Sequence, residues 1–594
     1  MMTLPRSEYP RPQCVRPDWL CLNGEWQFEI DSGDSGLERG LLERELTDRI
    51  LVPFCPESSL SGIGKTDFLT AVWYRRTVTI PSDWAGQRVL LHFQAVDHDA
   101  TIWVNGQELG RHRGGFTPFS VELPAEISGQ EATIVVRARD YNHIPQARGK
   151  QTQTYHNVNC DYTRTTGIWQ TVWLEPVPEV ALLRPRLTPD VANGLLRLVQ
   201  PLSTPRTGLT IRASLRDSNG VVCTASCATG WNLSPQVDLS IPEERRVLWS
   251  PEHPHLYDLE ILLLNGEQVI DQISSYAGLR SVSIEGPAIL LNGQKLFQRL
   301  VLDQGYYPDG ILTAPDDEAL IRDITLSMEA GFNGARLHQK VFEERFLYHA
   351  DRLGYLVWGE FADWGCGGYG PQENHQQPTT SYITQWLEAL ERDYSHPAII
   401  GWCPLNETWQ PLTDHITILD DVTRAMFLAT KAFDQIRPVL DTSGYSHRVA
   451  EADIYDSHDY EQNPTLFAAN HAYRAEGKRF INDHQGRPIS LPYRHQPYMV
   501  SEFGGIWWND TREPGDRTTS WGYGTAPQSI DEFYARFEGL CKVLLDNPTM
   551  FGYCYTQLTD VFQEQNGIYT FDRRPKFDLA RLHAIQGRTA AIEQ

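Results

Sequence analysis

Short segments in which apolar and polar residues alternate one by one fill the first 178 positions, at 24–30, 72–80, 88–94, 101–104, 133–138 and 170–174. A period of two turns one face of an extended segment inward and leaves the other in water, so each run predicts a half-buried strand. Asn105-Gly106, between two such runs, is a tight hairpin turn, because both residues tolerate positive φ. An all-β unit of this size is a sandwich or jelly roll, expected over 1–178. The alternation resumes at 195–198, 209–215, 237–241 and 256–263, with loops such as Asp217-Ser218-Asn219-Gly220 between the runs. These strands predict an immunoglobulin-like β-sandwich over 179–283.

From residue 284 the pattern changes to strands alternating with helices. Asp316 is placed to cap a helix whose apolar side is Leu320, Ile324 and Met328, and Gly331 ends it. Phe342, Phe346, Ala350 and Leu353 form a second stripe, stopped by Gly354. Candidate strands lie at 296–302, 333–337, 355–358, 398–402, 438–441, 453–457, 498–501 and 552–557. Eight strands with intervening helices predict a C-terminal (β/α)8 TIM barrel over 284–594. There is no internal repeat and no low-complexity segment.

Composition narrows the function classes. The 41% hydrophobic and 22% charged residues are the balance of a globular protein. A formal charge of −24 argues against a nucleic-acid partner, which needs a basic face. Ten cysteines show no paired spacing and no His cluster that would make a zinc site, so a reducing compartment with free thiols is the simplest account. No apolar run suits a signal peptide or a bilayer span, and the expectation is a cytoplasmic protein with no membrane partner.

Barrels of this kind carry their chemistry at the C-terminal ends of the strands. Just past those ends lie Asp303 and Gln304, then Arg336 and His338, then Glu360, Asp363 and Trp364. The fourth strand delivers Asn406-Glu407-Thr408-Trp409, the sixth His458 and Tyr460, the seventh Glu502, the eighth Asp560. Two carboxylates on strands four and seven would face each other across the mouth. Glycoside hydrolysis needs such a pair, one protonated for the departing oxygen and one ionised for the anomeric carbon. A single Glu at a strand end is ordinarily a salt-bridged structural residue, so the local words decide.

Gly401-Trp402-Cys403-Pro404-Leu405-Asn406-Glu407 resembles the acid/base signature of glycoside hydrolase family 2, the family of β-galactosidases, β-glucuronidases and β-mannosidases. Ser501-Glu502-Phe503-Gly504 is similar to its nucleophile segment, and the stretches Gly331 to His338 and Ala350 to Glu360 to its second and third barrel strands. Gly24-Glu25-Trp26, Trp73-Tyr74-Arg75-Arg76, Trp103-Val104-Asn105-Gly106 and Thr166-Gly167-Ile168-Trp169-Gln170 resemble its sugar-binding jelly roll. The resemblance implies a retaining exo-glycosidase with Glu407 as general acid/base and Glu502 as nucleophile. It further implies that Asn406 bonds the sugar 2-hydroxyl and that Tyr460 donates to Glu502. His338 and His458 either ligate sugar hydroxyls or support residues that do. Arg336 pairs with Glu502 or a neighbour, and Asp303, Glu360 and Trp364 complete the candidates.

Departures from the family bear on the sugar. Glucuronidases hold the sugar carboxylate with an Asn and a Lys two residues apart in the loop after the last strand. Here that loop reads Glu564-Gln565-Asn566-Gly567, without a Lys, and Thr556 stands where the family has Trp. The expectation is therefore β-galactosidase-like specificity, with a β-D-galactofuranosidase or α-L-arabinosidase as the alternative and a β-glucuronidase disfavoured. A non-catalytic carbohydrate-binding protein is disfavoured because both Glu407 and Glu502 are present. A carbohydrate is the expected partner, assembly into homo-oligomers stays open, and two carboxylates suffice without a metal or organic cofactor.

Overall fold

The computed structural model describes residues 4–142, 144–363, 378–509 and 520–594. It is a multidomain, β-rich chain. In the N-terminal unit, Asp48–Val52, Gly24–Ile30, Ala71–Thr79, Glu131–Arg139, Asp99–Val104 and Gln107–Arg113 lie side by side in one six-stranded sheet. Leu20–Cys21, Val172–Val177, Arg88–Phe93 and Phe119–Glu122 form a second, four-stranded sheet. The inward residues of both, among them Trp26, Tyr74, Phe93, Ile102, Val136 and Leu174, share one core. Asn105 and Gly106 take φ of 50° and 81°, the two left-handed positions of a hairpin turn.

The middle unit pairs a three-stranded sheet (Arg186–Asp190, Leu195–Val199, Gln236–Ser240) with a four-stranded one (Gly220–Ala228, Thr210–Asp217, Tyr257–Asn265, Gln268–Ala277) around its own core. It is keyed to the C-terminal unit by buried side chains. Arg280 donates to the carbonyls of Pro397 and Ile399 at 2.9 and 2.8 Å, and the Trp249 indole donates to that of Asp351 at 2.7 Å. Trp249 is fully buried, so truncation to Ala would cost about 3–5 kcal/mol.

The C-terminal unit is built on a parallel sheet. Its order is Ile399–Cys403, Leu356–Glu360, Gly334–Leu337, Gln298–Asp303, Met550–Thr556, Tyr498–Gly504 and Tyr455–Asp459. Helices return the chain between strands. Asp317–Glu329 is capped by Asp316, whose side chain accepts from the Ala319 N–H at 2.8 Å. The second helix, Glu344–Leu353, begins two residues after Phe342 and ends at Gly354, which takes φ of 75°. A Cβ on Gly354 would also stand 2.3 Å from the Pro251 carbonyl, so this stop signal is at the same time a contact with the middle unit.

One expected strand departs from regularity. Residues 438–441 are not a strand: the stretch 438–443 touches its neighbour through two parallel bridges, Trp402 with Val439 and Asn406 with Ser443. Pro438 has no N–H to give, and the Val439 N–H goes to the Asp453 carboxylate at 2.9 Å instead of to a strand carbonyl. The described sheet therefore has seven strands where eight were expected.

A segment of the N-terminal unit, 149–162, lies over the C-terminal ends of these strands. Gly149 N–H donates to the Ala362 carbonyl at 2.7 Å, and Trp521 and Gln563 both donate to the Asn159 carbonyl, at 2.7 and 2.6 Å.

Candidate active site

The parallel strands deliver their last residues to one place. Arg336 and Glu360 belong to the second and third strands in chain order, while His458 and Glu502 are register partners on adjacent strands. The register of that pair shifts at His458, a bulge that re-aims side chains at the rim. Glu407 lies beyond the end of Ile399–Cys403 and takes φ of 48°. Its N–H is anchored to the Ser443 carbonyl at 2.9 Å. A non-glycine residue held in this left-handed region marks a backbone over-determined by its surroundings.

Glu407 and Glu502 meet. One carboxylate oxygen of each, together with a His458 nitrogen, lies within 4.8 Å of the others. His458 Nδ1 is 2.8 Å from Glu407 Oε1 and 3.4 Å from Glu502 Oε2. Tyr460 Oη donates to Glu502 Oε2 at 2.5 Å and is itself 3.0 Å from Thr556 Oγ1. Arg336 reaches three partners besides the Ser501 carbonyl: Glu360 Oε1 at 2.5 Å, Asn406 Oδ1 at 2.9 Å and Glu502 Oε1 at 3.3 Å. Glu360 raises the pKa of this guanidinium well above its usual value, against the burial that would lower it. His338 Nδ1 lies 3.2 Å from Glu360 Oε2, and its Nε2 lies 3.8 Å from Glu502 Oε1. Burial, helped by the Lys150 charge, holds His338 well below its ordinary pKa, so it is neutral. Asn406 Nδ2 is a buried donor with no partner among the described residues.

Of the residues singled out by sequence, Glu407, Glu502, Asn406, Arg336, His338, Glu360, His458 and Tyr460 thus fall in one connected cluster. Asp303 stands apart. Its Oδ1 accepts the Gly305 N–H at 2.9 Å, and its charge neighbours are Asp323, Arg573 and Lys340. Trp364 lies outside the described residues.

Four contributors escaped the sequence reading. Ser443 and Asp456 line the buried side of His458: Ser443 Oγ is 2.9 Å from Nε2 and donates to Asp456 Oδ2 at 2.8 Å. Ser443 lies just past the irregular 438–441 segment, bridged to Asn406. Tyr162, from the overlying segment, donates to Glu564 Oε2 at 2.5 Å, while Asn566 donates to Glu564 Oε1 at 3.1 Å. Lys150, buried in the same segment, has its ammonium 5.9 Å from the Tyr162 ring centroid. Burial alone would lower its pKa, but Cys160 and the carboxylates of Glu564, Glu502 and Glu407 raise it. Burial pushes the Cys160 thiol up to about 12, which leaves the carboxylates as the countercharge at neutral pH. No local signal marks a residue of one domain that reaches the site of another.

Residues 63–178 match the sequence profile described as the sugar-binding domain of glycosyl hydrolases family 2, and residues 190–280 match the profile of glycosyl hydrolases family 2. A β-glucuronidase of Paenibacillus borealis is 26% identical over 417 residues, which span 65% of this chain and 67% of that protein. A putative β-glucuronidase of Formosa agariphila is 28% identical over 57% of this chain, and a β-galactosidase of Thermoanaerobacter pseudethanolicus is 26% identical over 74%. The chain spans only 40% and 54% of the length of these last two. Among solved structures, the β-glucuronidase of Ruminococcus gnavus superposes with a TM-score of 0.77 at 18% identity, covering 99% of both chains. The β-D-glucuronidase of Dictyoglomus thermophilum gives 0.75 at 19%, covering 98% of this chain and 99% of its own. At such identities the structural likeness concerns the fold. Among the described residues, no helix is long and apolar enough to cross a membrane.

Proposed function

The chain belongs to glycoside hydrolase family 2, and from that premise we propose that it is a retaining exo-β-glycosidase working by double displacement. The observation that carries this reading is the approach of Glu407 and Glu502 to within 4.8 Å, oxygen to oxygen. Retaining enzymes hold their carboxyl groups about 5–5.5 Å apart, whereas inverting ones leave about 6.5–9.5 Å for a water. Glu407 gives its proton to the glycosidic oxygen while a Glu502 oxygen attacks the anomeric carbon. The carbon–oxygen bond breaks, the aglycone leaves as an alcohol, and the sugar stays on Glu502 as an ester. Water then loses a proton to Glu407, attacks the same carbon and frees Glu502, so the released sugar keeps its original configuration. Arg336 and Tyr460 each engage one Glu502 oxygen, which fixes the carboxylate for in-line attack.

The same premise carries the architecture. The two N-terminal sheets are read as a jelly roll over 1–178 and the next two as an immunoglobulin-like sandwich over 179–283. The seven parallel strands and the bridged 438–443 segment are read as a (β/α)8 barrel over 284–594.

For the sugar, a β-glucuronoside has more support than the β-galactoside expected from the sequence. Most of the relatives bear the name β-glucuronidase, with one β-galactosidase beside them. The Glu564 that spoke against a uronide has both oxygens engaged by Tyr162 and Asn566, and Lys150 adds a positive charge beside it. A panel of nitrophenyl β-glucuronide, β-galactopyranoside, β-galactofuranoside and α-L-arabinoside tests this. The glucuronide should give the highest kcat/KM, and a galactoside above it would make the enzyme a β-galactosidase. Proton NMR of the first-formed product should show the substrate's anomer; the opposite anomer would remove Glu502 as nucleophile.

A further inference from the structure

His458 joins the catalytic pair to a chain of buried polar groups behind it. On that side Nε2 meets Ser443 Oγ, Ser443 and Ser501 both donate to Asp456 Oδ2, and Asp456 Oδ1 is 3.2 Å from His447 Nε2. His447 Nδ1 closes the chain on Asp441 Oδ1 at 2.9 Å. The ring cannot drift. Its backbone N–H and carbonyl are both held by the Asn482 side chain, at 3.0 and 2.7 Å, and a Cβ on Gly444 would stand 2.6 Å from its atoms.

Counting hydrogens gives the protonation state. The Ser443 hydroxyl has one hydrogen; given to the Asp456 carboxylate, which can only accept, it leaves Ser443 Oγ to accept from His458 Nε2. On the other face Nδ1 points at the Glu502 carboxylate and at Glu407 Oε1, which accepts as the carbonyl oxygen while Glu407 holds its proton on Oε2. Both ring nitrogens therefore carry hydrogen. We propose that His458 is an imidazolium bracket, a positioning residue that holds Glu407 and Glu502 at the separation double displacement requires and stabilises negative charge on both.

The groups facing it support this. Burial alone would lower its pKa, but Glu502, Glu407 and Asp456 outweigh burial and raise it. Asp456 is held down to about 2, its burial overcome by His447, His458 and Ser501, and so it is ionised. The Tyr445 ring lies 5.5 Å from the imidazole, and Glu407, burial and Glu502 raise its phenol pKa, so it is uncharged; Arg336 and Glu360 carry the remaining charges, and His338 is neutral. The 2.8 Å from Nδ1 to Glu407 Oε1 is that of a direct hydrogen bond, and Glu502 Oε2 lies 3.4 Å from the same nitrogen as an ion-pair contact. A fixed positive charge here favours proton release from Glu407 in the first half of the cycle, when the carboxylate appears. It weakens Glu407 as a base in the second half.

His458→Gln keeps an amide donor and removes the charge. Both limbs of the kcat/KM profile should move to higher pH by about one unit. Activity should fall about tenfold or more on aryl glycosides with poor leaving groups and little on dinitrophenyl ones. Ser443→Ala, a milder change, should move the profile the same way by less. Unshifted limbs with a uniform loss across leaving groups in both variants would overturn the proposal. The kinetic arm rests on the retaining-glycosidase reading, so a second arm does without substrate. In the full chain labelled with nitrogen-15 histidine, the signals lost in His458→Gln should be those of two protonated ring nitrogens at neutral pH. A bare, unprotonated nitrogen there would refute the bracket even if the enzyme were active. Absence of activity on every glycoside would sink the enzymatic reading, and the bracket would then stand or fall on the nitrogen-15 signals alone.

Discussion

Replacing Tyr460 by Phe isolates one contact of the proposed nucleophile. The substitution deletes only the hydroxyl, which donates to Glu502 Oε2 at 2.5 Å and receives from Thr556 at 3.0 Å. The ring would remain stacked on Tyr523, with 3.4 Å between centroids, so the local packing survives. A hydrogen bond to a charged acceptor contributes about 1.5–3 kcal/mol, and its loss at a group that must attack in line translates to about 10- to 150-fold in kcat/KM. Arg336 on the other oxygen keeps Glu502 in the site, so activity should be reduced, not abolished. Rapid mixing with a dinitrophenyl glycoside separates the two half-reactions. Formation of the glycosyl–enzyme should slow, because Glu502 loses the hydrogen bond that aims its carboxylate. Unfolding free energy should fall by about 1–3 kcal/mol, from the buried carboxylate left short of a partner. A kcat/KM within threefold of the unaltered enzyme, with an intact fold, would refute the assignment of Tyr460 to the nucleophile.

Other substitutions test other parts of the site. Glu502→Gly should abolish turnover, by about 10⁴-fold or more, and azide should restore it by forming a glycosyl azide of inverted configuration; near-normal activity without azide contradicts the nucleophile. Lys150→Met should lower kcat/KM for a glucuronide by about tenfold or more while leaving galactoside hydrolysis within about threefold; equal losses on both sugars would assign Lys150 to structure alone. His447 has its pKa raised from 6.5 to about 10, with Asp441 and Asp456 overcoming burial. Its contribution to stability is therefore complete below pH 6.5 and is lost as pH rises through about 10. Denaturant melts of the full chain should show that decline, and His447→Gln should flatten it; an unchanged slope would mean the ion pairs are not formed.

Local order in the sequence carried much of this. Alternation over 24–30 becomes the strand Gly24–Ile30, and Asn105-Gly106 becomes the turn its residue types demand. Asp316 caps and Gly354 stops a helix because each acts within a few residues of itself. The segment 438–441 misled for the opposite reason. Its apolar content reads as a strand, but strand pairing needs free backbone donors, and Pro438 and the Asp453 side chain remove two of them. The family-like words around Glu407 and Glu502, proposed to be catalytic, could be picked out because each is contiguous. His458 was legible as a residue but not in its place, because a role between two carboxylates is a property of three strand ends and no single one.

The uronide question turns on that same limit. A carboxylate-binding site requires a positive charge at the right distance from the anomeric carbon, and physics does not ask which segment supplies it. The loop after the last strand offers Glu564 where a lysine was sought, and from sequence alone the inference of repulsion follows. In the folded chain the segment 149–162 crosses from another domain, and Gly149 lets it approach: a Cβ there would lie 2.2 Å from the Gln339 carbonyl, beside His338. The next residue is Lys150, and Tyr162, whose N–H bonds the Lys150 carbonyl at 2.8 Å, reaches on to Glu564. Charge at this wall is therefore set by two domains jointly. A loop read in isolation has the wrong sign for the proposed uronide, and the positive charge of Lys150 beside Glu564 offsets it.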